Sequence, residues 1–228
     1  MRMRRKKHLE EKLALCDNLI CFPHVESDVR AAVREKEYID LVSYFGNENP
    51  VHMEIGCGKG QFVTELAARR PEINFIAVEV NRNVIWMACQ KAMEKGLRNV
   101  LFLQGGAELL QKYLRPGSVG RVYLNFSCPY PKTTYANRRL TNIRYLEIYK
   151  DLCAPGAEIH QKTDNMHFFE YSIEQFTAAG YQLKNVSLDL HHSGFKGNIV
   201  TEYENRFASL GQPIYRLEAY LPDGIVEG

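Results

Sequence analysis

The sequence predicts an α/β fold with a mostly parallel sheet of about seven strands, helices on both faces and an antiparallel edge hairpin. Short apolar runs alternate with amphipathic runs from about residue 51, which indicates strands joined by helical crossovers. The last two alternating runs have no helical pattern between them, which predicts the hairpin. The 228 residues, 45% hydrophobic and 25% charged, suffice for one globular core.

Three strands are predicted in the first half of this core. The strand V-H-M-E-I (residues 51–55) leads through G-C-G-K-G into an amphipathic helix that Pro71 terminates. The strand N-F-I-A-V-E-V (residues 74–80) precedes a helix that Gly96 closes. The strand N-V-L-F-L (residues 99–103) ends in the loop Q-G-G-A-E.

The second half continues the alternation and then ends in the hairpin. Asn142 is predicted to cap a helix that Pro155-Gly156 ends. Asp164 or Asn165 is predicted to cap the next helix. The four strands of this half are predicted at residues 121–126, 157–163, 181–190 and 213–221.

The distribution of charge favours an anionic partner. The net charge is only +2, but five of the first seven residues are basic, and residues 128–146 contain no carboxylate. Two basic zones of this kind are typical of proteins that bind a polyanion. The first zone opens a basic N-terminal arm and helical lead-in predicted for residues 1–45, before a domain at residues 46–228. The cations of the second zone are Lys132, Arg138, Arg139 and Arg144.

Composition argues against several classes of protein. No run approaches the roughly 20 apolar residues of a membrane span, and no apolar signal core follows the basic start, so we expect a cytoplasmic protein without membrane partners. Six scattered cysteines without a C-x-x-C pair predict reduced thiols and no metal site. His191 and His192 lie in a glycine-rich loop and are expected to be solvated. A monomer and a homodimer are both compatible with the sequence.

The loop after the first strand predicts a cationic adenosine ligand. Gly56, Gly58 and Gly60 let the backbone approach a ligand, but their spacing is not that of the dinucleotide fingerprint. Glu54 would repel a phosphate and attract an ammonium, and Glu79 ends the second strand where a carboxylate accepts ribose hydroxyls. S-adenosylmethionine combines these features. The alternative is a tight turn, with Glu79 capping the next helix.

Seven motifs, taken in order over residues 51–217, resemble the bacterial tRNA (guanine-N7-)-methyltransferase family. They are E-I-G-C-G-K-G-Q-F, N-F-I-A-V-E-V, R-V-Y-L-N-F-S-x-P-x-P-K, R-R-L-T, E-I-H-Q-K-T-D-N, I-V-T-E-Y-E and G-Q-P-I-Y-R-L-E. The resemblance implies a class I, Rossmann-like methyltransferase fold. It also implies transfer of a methyl group from S-adenosylmethionine to N7 of the guanine at position 46 in the variable loop of tRNA.

The resemblance, together with the glycine loop, yields a set of candidate site residues. Residues 133–138 would face the RNA. The candidate cofactor-binding residues are Glu54, Gly56, Gly58, Glu79, Gly106 and Ala107. The candidate substrate-binding residues are Lys132, Asp164, Thr201, Glu202, Tyr203 and Glu204. The candidate catalytic residues are Asp164 and Cys128.

Two departures from the family pattern affect this set. The family usually has an acidic residue, for the adenine amino group, where this chain has Gly106, which leaves backbone groups of Gly106 and Ala107. Losing one such hydrogen bond costs about 0.5 to 1.5 kcal/mol. The family also has aspartate and tryptophan where this chain has Cys128 and Tyr130. We expect Cys128 to be an inert thiol; a nucleophilic cysteine is the alternative.

The chemistry of guanine N7 determines whether methyl transfer is still possible without the family's acidic residues. Because N7 has an exposed lone pair and no proton to remove, direct in-line transfer needs alignment and nearby negative charge rather than a general base. Asp164, Glu202 and Glu204 are candidates for that charge. The alternative functions are a weakened or inactive homologue that binds tRNA and S-adenosylmethionine, and an enzyme that methylates a small molecule or protein.

Overall fold

The computed structural model describes residues 7–23 and 28–222, and the chain divides into two compact units, residues 1–113 and 114–228. The basic residues 2–6 of the predicted arm lie outside the described residues. No helix in the described ranges has both the length and the apolar character that crossing a membrane requires. The predicted domain boundary after residue 45 stays a prediction.

The first unit is built on four parallel strands in the order β1-β4-β3-β2. The last three confirm the strands predicted in the first half, whereas β1 was not predicted. Three residues are too few to show a period, and this strand is defined by its partner: the Phe102 amide donates to the Asn18 carbonyl at 2.8 Å. The strands are β1 (Leu19–Cys21), β2 (Val51–Ile55), β3 (Asn74–Glu79) and β4 (Val100–Gln104).

The helices of this unit bury apolar stripes in one core. Val63 and Ala67 from α4 pack in the same cluster as Ile85 and Ala88 from α5. A Cβ on Gly60, whose φ is 73°, would lie 2.6 Å from the Ala88 Cβ, so both the backbone conformation and the packing against α5 require glycine here. The helices are α1 (Leu9–Ala14), α2 (Val29–Ala32), α3 (Leu41–Phe45), α4 (Gln61–Arg69), α5 (Arg82–Glu94) and α6 (Leu110–Tyr113), with a 3-10 turn at Ala107–Leu109.

The second unit also has four strands, in the order β5-β6-β8-β7. The pair β5 and β6 is parallel, whereas β8 is antiparallel to both β6 and β7, which confirms the predicted antiparallel pair at the edge of the sheet. The prediction that Pro155-Gly156 ends the preceding helix is wrong, because both residues lie inside β6. The strands are β5 (Val119–Asn125), β6 (Cys153–Thr163), β7 (Gln182–Ser187) and β8 (Tyr215–Tyr220).

The helices of the second unit begin at asparagine and threonine caps. Asn142 caps α7 as predicted, and Asn165 rather than Asp164 caps α8, accepting from the Phe168 amide at 2.8 Å. The prediction that no helix joins the last two strands is wrong, because α9 lies between β7 and β8. The helices are α7 (Ile143–Leu152), α8 (Met166–Ala178) and α9 (Glu202–Ala208), with 3-10 turns at Thr133–Arg138 and Leu190–His192.

Candidate functional sites in the two units

The carboxyl ends of β2 and β3 bring Glu54, Glu79 and the glycine loop together in the first unit. The strands are parallel neighbours, so both end at the same edge of the sheet. The amides of Gly56 and Cys57 both donate to the Val78 carbonyl, at 2.8 and 3.0 Å. The loop is thereby attached to the end of the strand that carries Glu79. Glu54, one residue before the end of β2, is 3% exposed.

Backbone amides hold the carboxylate of Glu79 in place. Its Oε2 accepts from the Gly58 amide at 3.1 Å, and its Oε1 accepts from the Asn81 amide at 2.9 Å. Asn81 caps α5 by accepting from the Asn83 amide, so the alternative prediction that Glu79 caps this helix is wrong. A carboxylate has about four lone-pair sites, and two of those on Glu79 remain for the hydroxyls of a ligand. Glu79 is therefore a fixed acceptor with capacity left.

Gly56 and Gly58 satisfy a conformational requirement of the loop, and Gly58 also leaves open space. Gly56 and Gly58 have φ values of 79° and 55°, in the left-handed region where side chains are unfavourable. A Cβ on Gly58 would meet no atom within 4 Å. The backbone at this position is thus accessible to a ligand.

Cys57 shows that negative charge concentrates at this loop. Its thiol is buried, and burial raises its pKa well above the ordinary value, with the carboxylates of Glu54 and Glu79 adding to the shift. The same carboxylates would stabilise a cation placed over the loop. Two carboxylates and an accessible glycine backbone fit the chemistry of S-adenosylmethionine.

Gly106 and Ala107 lie beside this edge, after β4. The amide of Gly105 donates to the Glu79 carbonyl at 3.1 Å, which holds the start of their loop against the end of β3. Ala107 is buried and begins a 3-10 turn, while Gly106 is partly exposed. The structure therefore places all six candidate cofactor-binding residues at one edge of the first unit.

In the second unit, the carboxyl ends of β5 and β6 bring Cys128 and Asp164 to one edge. The amide of Phe126 donates to the Lys162 carbonyl at 2.8 Å, so the N-F-S-C-P-Y-P-K turn and the T-D-N segment leave the sheet together. The Cys128 thiol is exposed. Among residues 7–23 and 28–222, no side chain or amide bonds to the Asp164 carboxylate, because Asn165 caps α8.

Arg139 holds the turn that carries Cys128, a role the sequence did not reveal. Phe126 and Tyr130 adopt left-handed φ values of 51° and 42°, which are uncommon for such bulky side chains. The Arg139 guanidinium donates to the carbonyls of Pro129 and Tyr130, at 2.8 and 3.0 Å. It also lies 4.2 Å from the centre of the Tyr171 ring. This arginine thus fixes a strained turn.

A buried ion pair fastens α9 to β6. Glu204 is 0% exposed, and its Oε2 accepts from the Lys162 ammonium at 2.7 Å. Its Oε1 accepts a bond from Asn198 and lies 3.1 Å from His191 Nε2. His191 is exposed, as expected, and its contact with this buried carboxylate is the feature that the sequence did not predict. Thr201 caps α9 by accepting from the Glu204 amide at 3.0 Å.

Tyr203 is an exposed member of the T-E-Y-E run, and its ring contacts Phe126. Its side chain is 62% exposed, and its ring stacks on that of Phe126 with 6.5 Å between centroids. Glu202 and Lys132 are also exposed. The run is thus divided: Thr201 and Glu204 build α9, whereas Glu202 and Tyr203 face outward.

One group of possible metal ligands occurs in the described part of the chain, at Glu158, His160 and Glu218. Cationic side chains already engage its carboxylates, and burial lowers the pKa of His160 to about 4. These ion pairs explain the group as part of a charged network, largely removed from solvent, on the second unit's sheet. The partners are Arg121 and Lys184 for Glu158, and Arg216 for Glu218.

Comparisons with known proteins identify the family. Residues 48–217 match the family model described as a putative methyltransferase. The tRNA (guanine-N(7)-)-methyltransferase of Bacillus subtilis (strain 168) is 49% identical over 174 residues, which cover 76% of this chain and 82% of the relative. That of Streptococcus thermophilus (strain CNRZ 1066) is 41% identical over 223 residues, covering 98% of this chain and 100% of the relative.

Solved structures confirm the predicted fold class. The 16S rRNA methyltransferase KamB is similar with a TM-score of 0.60 at 18% identity, covering 82% of this chain and 96% of that one. An antibiotic-related methyltransferase gives a TM-score of 0.58 at 16% identity, covering 86% and 94%. The architecture is that of class I methyltransferases, whose methyl donor is S-adenosylmethionine. With the sequence matches, these findings show that the chain belongs to the tRNA (guanine-N(7)-)-methyltransferase family.

Proposed function

We propose that this protein methylates N7 of the guanine at position 46 in the variable loop of tRNA, by direct in-line transfer from S-adenosylmethionine. The geometric observation that carries the proposal is the carboxylate of Glu79, held by two backbone amides beside an open glycine loop. The relatives that match most of the chain are named for this tRNA chemistry, which supports the choice of substrate.

The first unit supplies the residues for the cofactor. Glu79 accepts the ribose hydroxyls, Glu54 attracts the ammonium, and Gly56 and Gly58 allow close approach of the backbone. When bound, S-adenosylmethionine supplies a methyl group made electrophilic by its sulfonium.

The second unit supplies the residues for the guanine and its RNA. Asp164 places negative charge near the base, where positive charge develops as N7 bonds to carbon, and this electrostatic role replaces a general base. Tyr203 offers an exposed ring for stacking on a base. Lys132 and Arg138 are exposed cations suited to phosphates. Thr201 and Glu204 hold α9 so that Tyr203 faces outward.

Cys128 acts in this proposal as an inert thiol. A nucleophilic cysteine needs a neighbouring base or cation, and among the residues that the structure describes none bonds to this thiol. A thiol in the position of the family's aspartate is also the observation that favours the second candidate function, a weakened homologue that binds tRNA and cofactor.

Replacing Cys128 is expected to show whether its thiol is inert, whether it is a nucleophile, and whether the missing aspartate slows the reaction. Cys128→Ala should leave kcat within about twofold, because no bond to the thiol is lost. Cys128→Asp should raise kcat about tenfold or more, because it adds a charge where charge stabilises the transition state. The measurement is steady-state methylation of tRNA, with the exposed Cys21→Ala as the matched control. Loss of all turnover in Cys128→Ala would instead indicate a covalent mechanism.

Arg138 and Arg139 are neighbours with different expected roles. Arg138→Ala should weaken tRNA binding several-fold, because it removes an exposed cation that can bind phosphate. It should not change stability, because the guanidinium is exposed and lies as far as 5.1 Å from the Tyr135 ring centre. Arg139→Ala should lower the free energy of unfolding by about 1 to 3 kcal/mol, because two carbonyls lose a charged donor. Filter binding of tRNA and urea unfolding measure the two effects. Equal stability of both variants would refute the role of Arg139.

The proposed function is tested with a tRNA transcript that lacks modifications and with S-adenosylmethionine labelled on its methyl group. We expect label in the tRNA, recovered as N7-methylguanosine after nuclease digestion. A transcript with adenine at position 46 should take up no label. Incorporation of label into the adenine transcript, or no label in either transcript, would overturn the proposal. If tRNA and S-adenosylmethionine both bind but no methyl group is transferred, the result supports the weakened homologue.

A further inference from the structure

Glu108 is a carboxylate at the edge of the first unit to which the function proposed above gives no role. We propose that it accepts a hydrogen bond from the adenine amino group of the cofactor, and thereby selects adenine at a position where Gly106 offers no side chain. The inference rests on the proposed cofactor but not on the tRNA chemistry.

The carboxylate of Glu108 fills the space in which a side chain on Gly106 would begin. A Cβ on Gly106 would lie 2.3 Å from Oε1, 2.4 Å from Cδ and 2.5 Å from Oε2 of Glu108. Such distances are shorter than any non-bonded contact, so a Cβ on Gly106 would displace the carboxylate of Glu108 from its present position. Glu108, two residues further along the chain, therefore presents its carboxylate directly over the backbone of Gly106.

The backbone of Gly106 does not itself require glycine. Its φ of −85° and ψ of 149° are ordinary extended values that any residue adopts. This distinguishes it from Gly56 and Gly58, whose φ values are positive. Because Gly106 has no side chain, the Glu108 carboxylate has room at this position.

The position of Glu108 along the sheet edge matches that of the adenine. Glu79 pairs with Gln104 in the register of β3 and β4, so the loop that carries Glu108 follows directly beside the ribose acceptor. On the other side of Glu79 lie β2 and Glu54, which attract the amino-acid part of the cofactor. An adenosine whose ribose is bound by Glu79 must therefore extend its base toward the loop after β4.

The chemistry of a carboxylate explains the selection. An ionised carboxylate only accepts hydrogen bonds, and the amino group of adenine donates them, whereas hypoxanthine has an oxygen at that position. Glu108 is partly exposed, and within the described ranges its carboxylate has no hydrogen-bond or ion-pair partner. It is thus available to a ligand, and a ligand that presents an oxygen there would be repelled.

The test measures equilibrium binding by calorimetry, without turnover. The ligands are S-adenosylhomocysteine and its inosine counterpart, in which an oxygen replaces the amino group. We expect the wild-type protein to prefer the adenine compound and Glu108→Ala to lose affinity for it by about tenfold, with little loss for the inosine compound. The exposed Glu48→Ala, at the opposite end of β2, is the matched acidic control.

Two further variants test the geometry. Gly106→Ala should displace the flexible end of Glu108 and reproduce the loss of affinity at unchanged thermal stability. Gly106→Asp combined with Glu108→Ala should restore most of the affinity, because it returns one carboxylate to the same place. A wild-type preference for adenine that Glu108→Ala leaves unchanged would overturn the inference, as would equal losses for both ligands.

The outcomes separate this inference from the proposed function. If the wild-type protein binds S-adenosylhomocysteine with the expected selectivity but does not methylate tRNA, the inference stands and the tRNA proposal falls. If it methylates tRNA and the Glu108 variants bind like wild type, the inference alone falls. If the wild-type protein binds neither ligand, both are overturned.

Discussion

Replacing Glu204 with alanine is expected to lower the free energy of unfolding by about 3 to 5 kcal/mol, the usual effect of leaving a buried charge without its partner. Lys162 is 5% exposed and Glu204 is 0% exposed, and their charged atoms are 2.7 Å apart. The ammonium of Lys162 would keep its bonds to two neutral acceptors, the Asn198 side chain and the Ile199 carbonyl, but would lose its carboxylate partner. Urea unfolding at pH 7 measures the change.

Glu202→Ala is the matched control for this prediction, since Glu202 is an exposed carboxylate in the same helix. Its effect should stay within about 0.5 kcal/mol, as for most surface substitutions. The double variant Lys162→Met with Glu204→Leu should recover much of the lost stability, because it removes both charges together. A Glu204→Ala protein that unfolds like wild type but no longer methylates tRNA would assign Glu204 to the base instead.

Asp164→Asn is expected to lower kcat for tRNA methylation by about 100-fold, by analogy with the loss of one preorganised electrostatic partner. Asparagine preserves the shape of the side chain and removes its charge. Stability and S-adenosylhomocysteine affinity should not change, because Asn165 rather than Asp164 caps α8. Single-turnover methylation at saturating tRNA measures the chemical step.

Asn165→Ala supplies the complementary control. It should cost about 1 kcal/mol of stability through loss of the cap, while kcat changes little in the protein that remains folded. If Asp164→Asn methylates tRNA at the wild-type rate, the negative charge proposed for the transition state does not come from Asp164.

Local patterns of the sequence determined most of the fold. The strands at β2, β3 and β4 and the helices α4 and α5 were predicted because their periodicity and their end signals lie within each segment. The glycine loop with Glu54 and Glu79 was also predictable, since a strand end and the turn after it are neighbours in sequence. The roles of these residues stay predictions until ligand binding is measured.

Tertiary structure alone decided the partners of the charged side chains. Sequence reasoning grouped Glu204 with the base-binding residues and Arg139 with the phosphate-binding ones, but Lys162 lies 42 residues from Glu204 and the carbonyls that Arg139 holds belong to a strained turn. It also passed over Glu108, whose carboxylate matters only through its position above Gly106. Periodicity reports which face a residue occupies, whereas the partner of a buried or folded-back charge depends on which distant segments desolvate it.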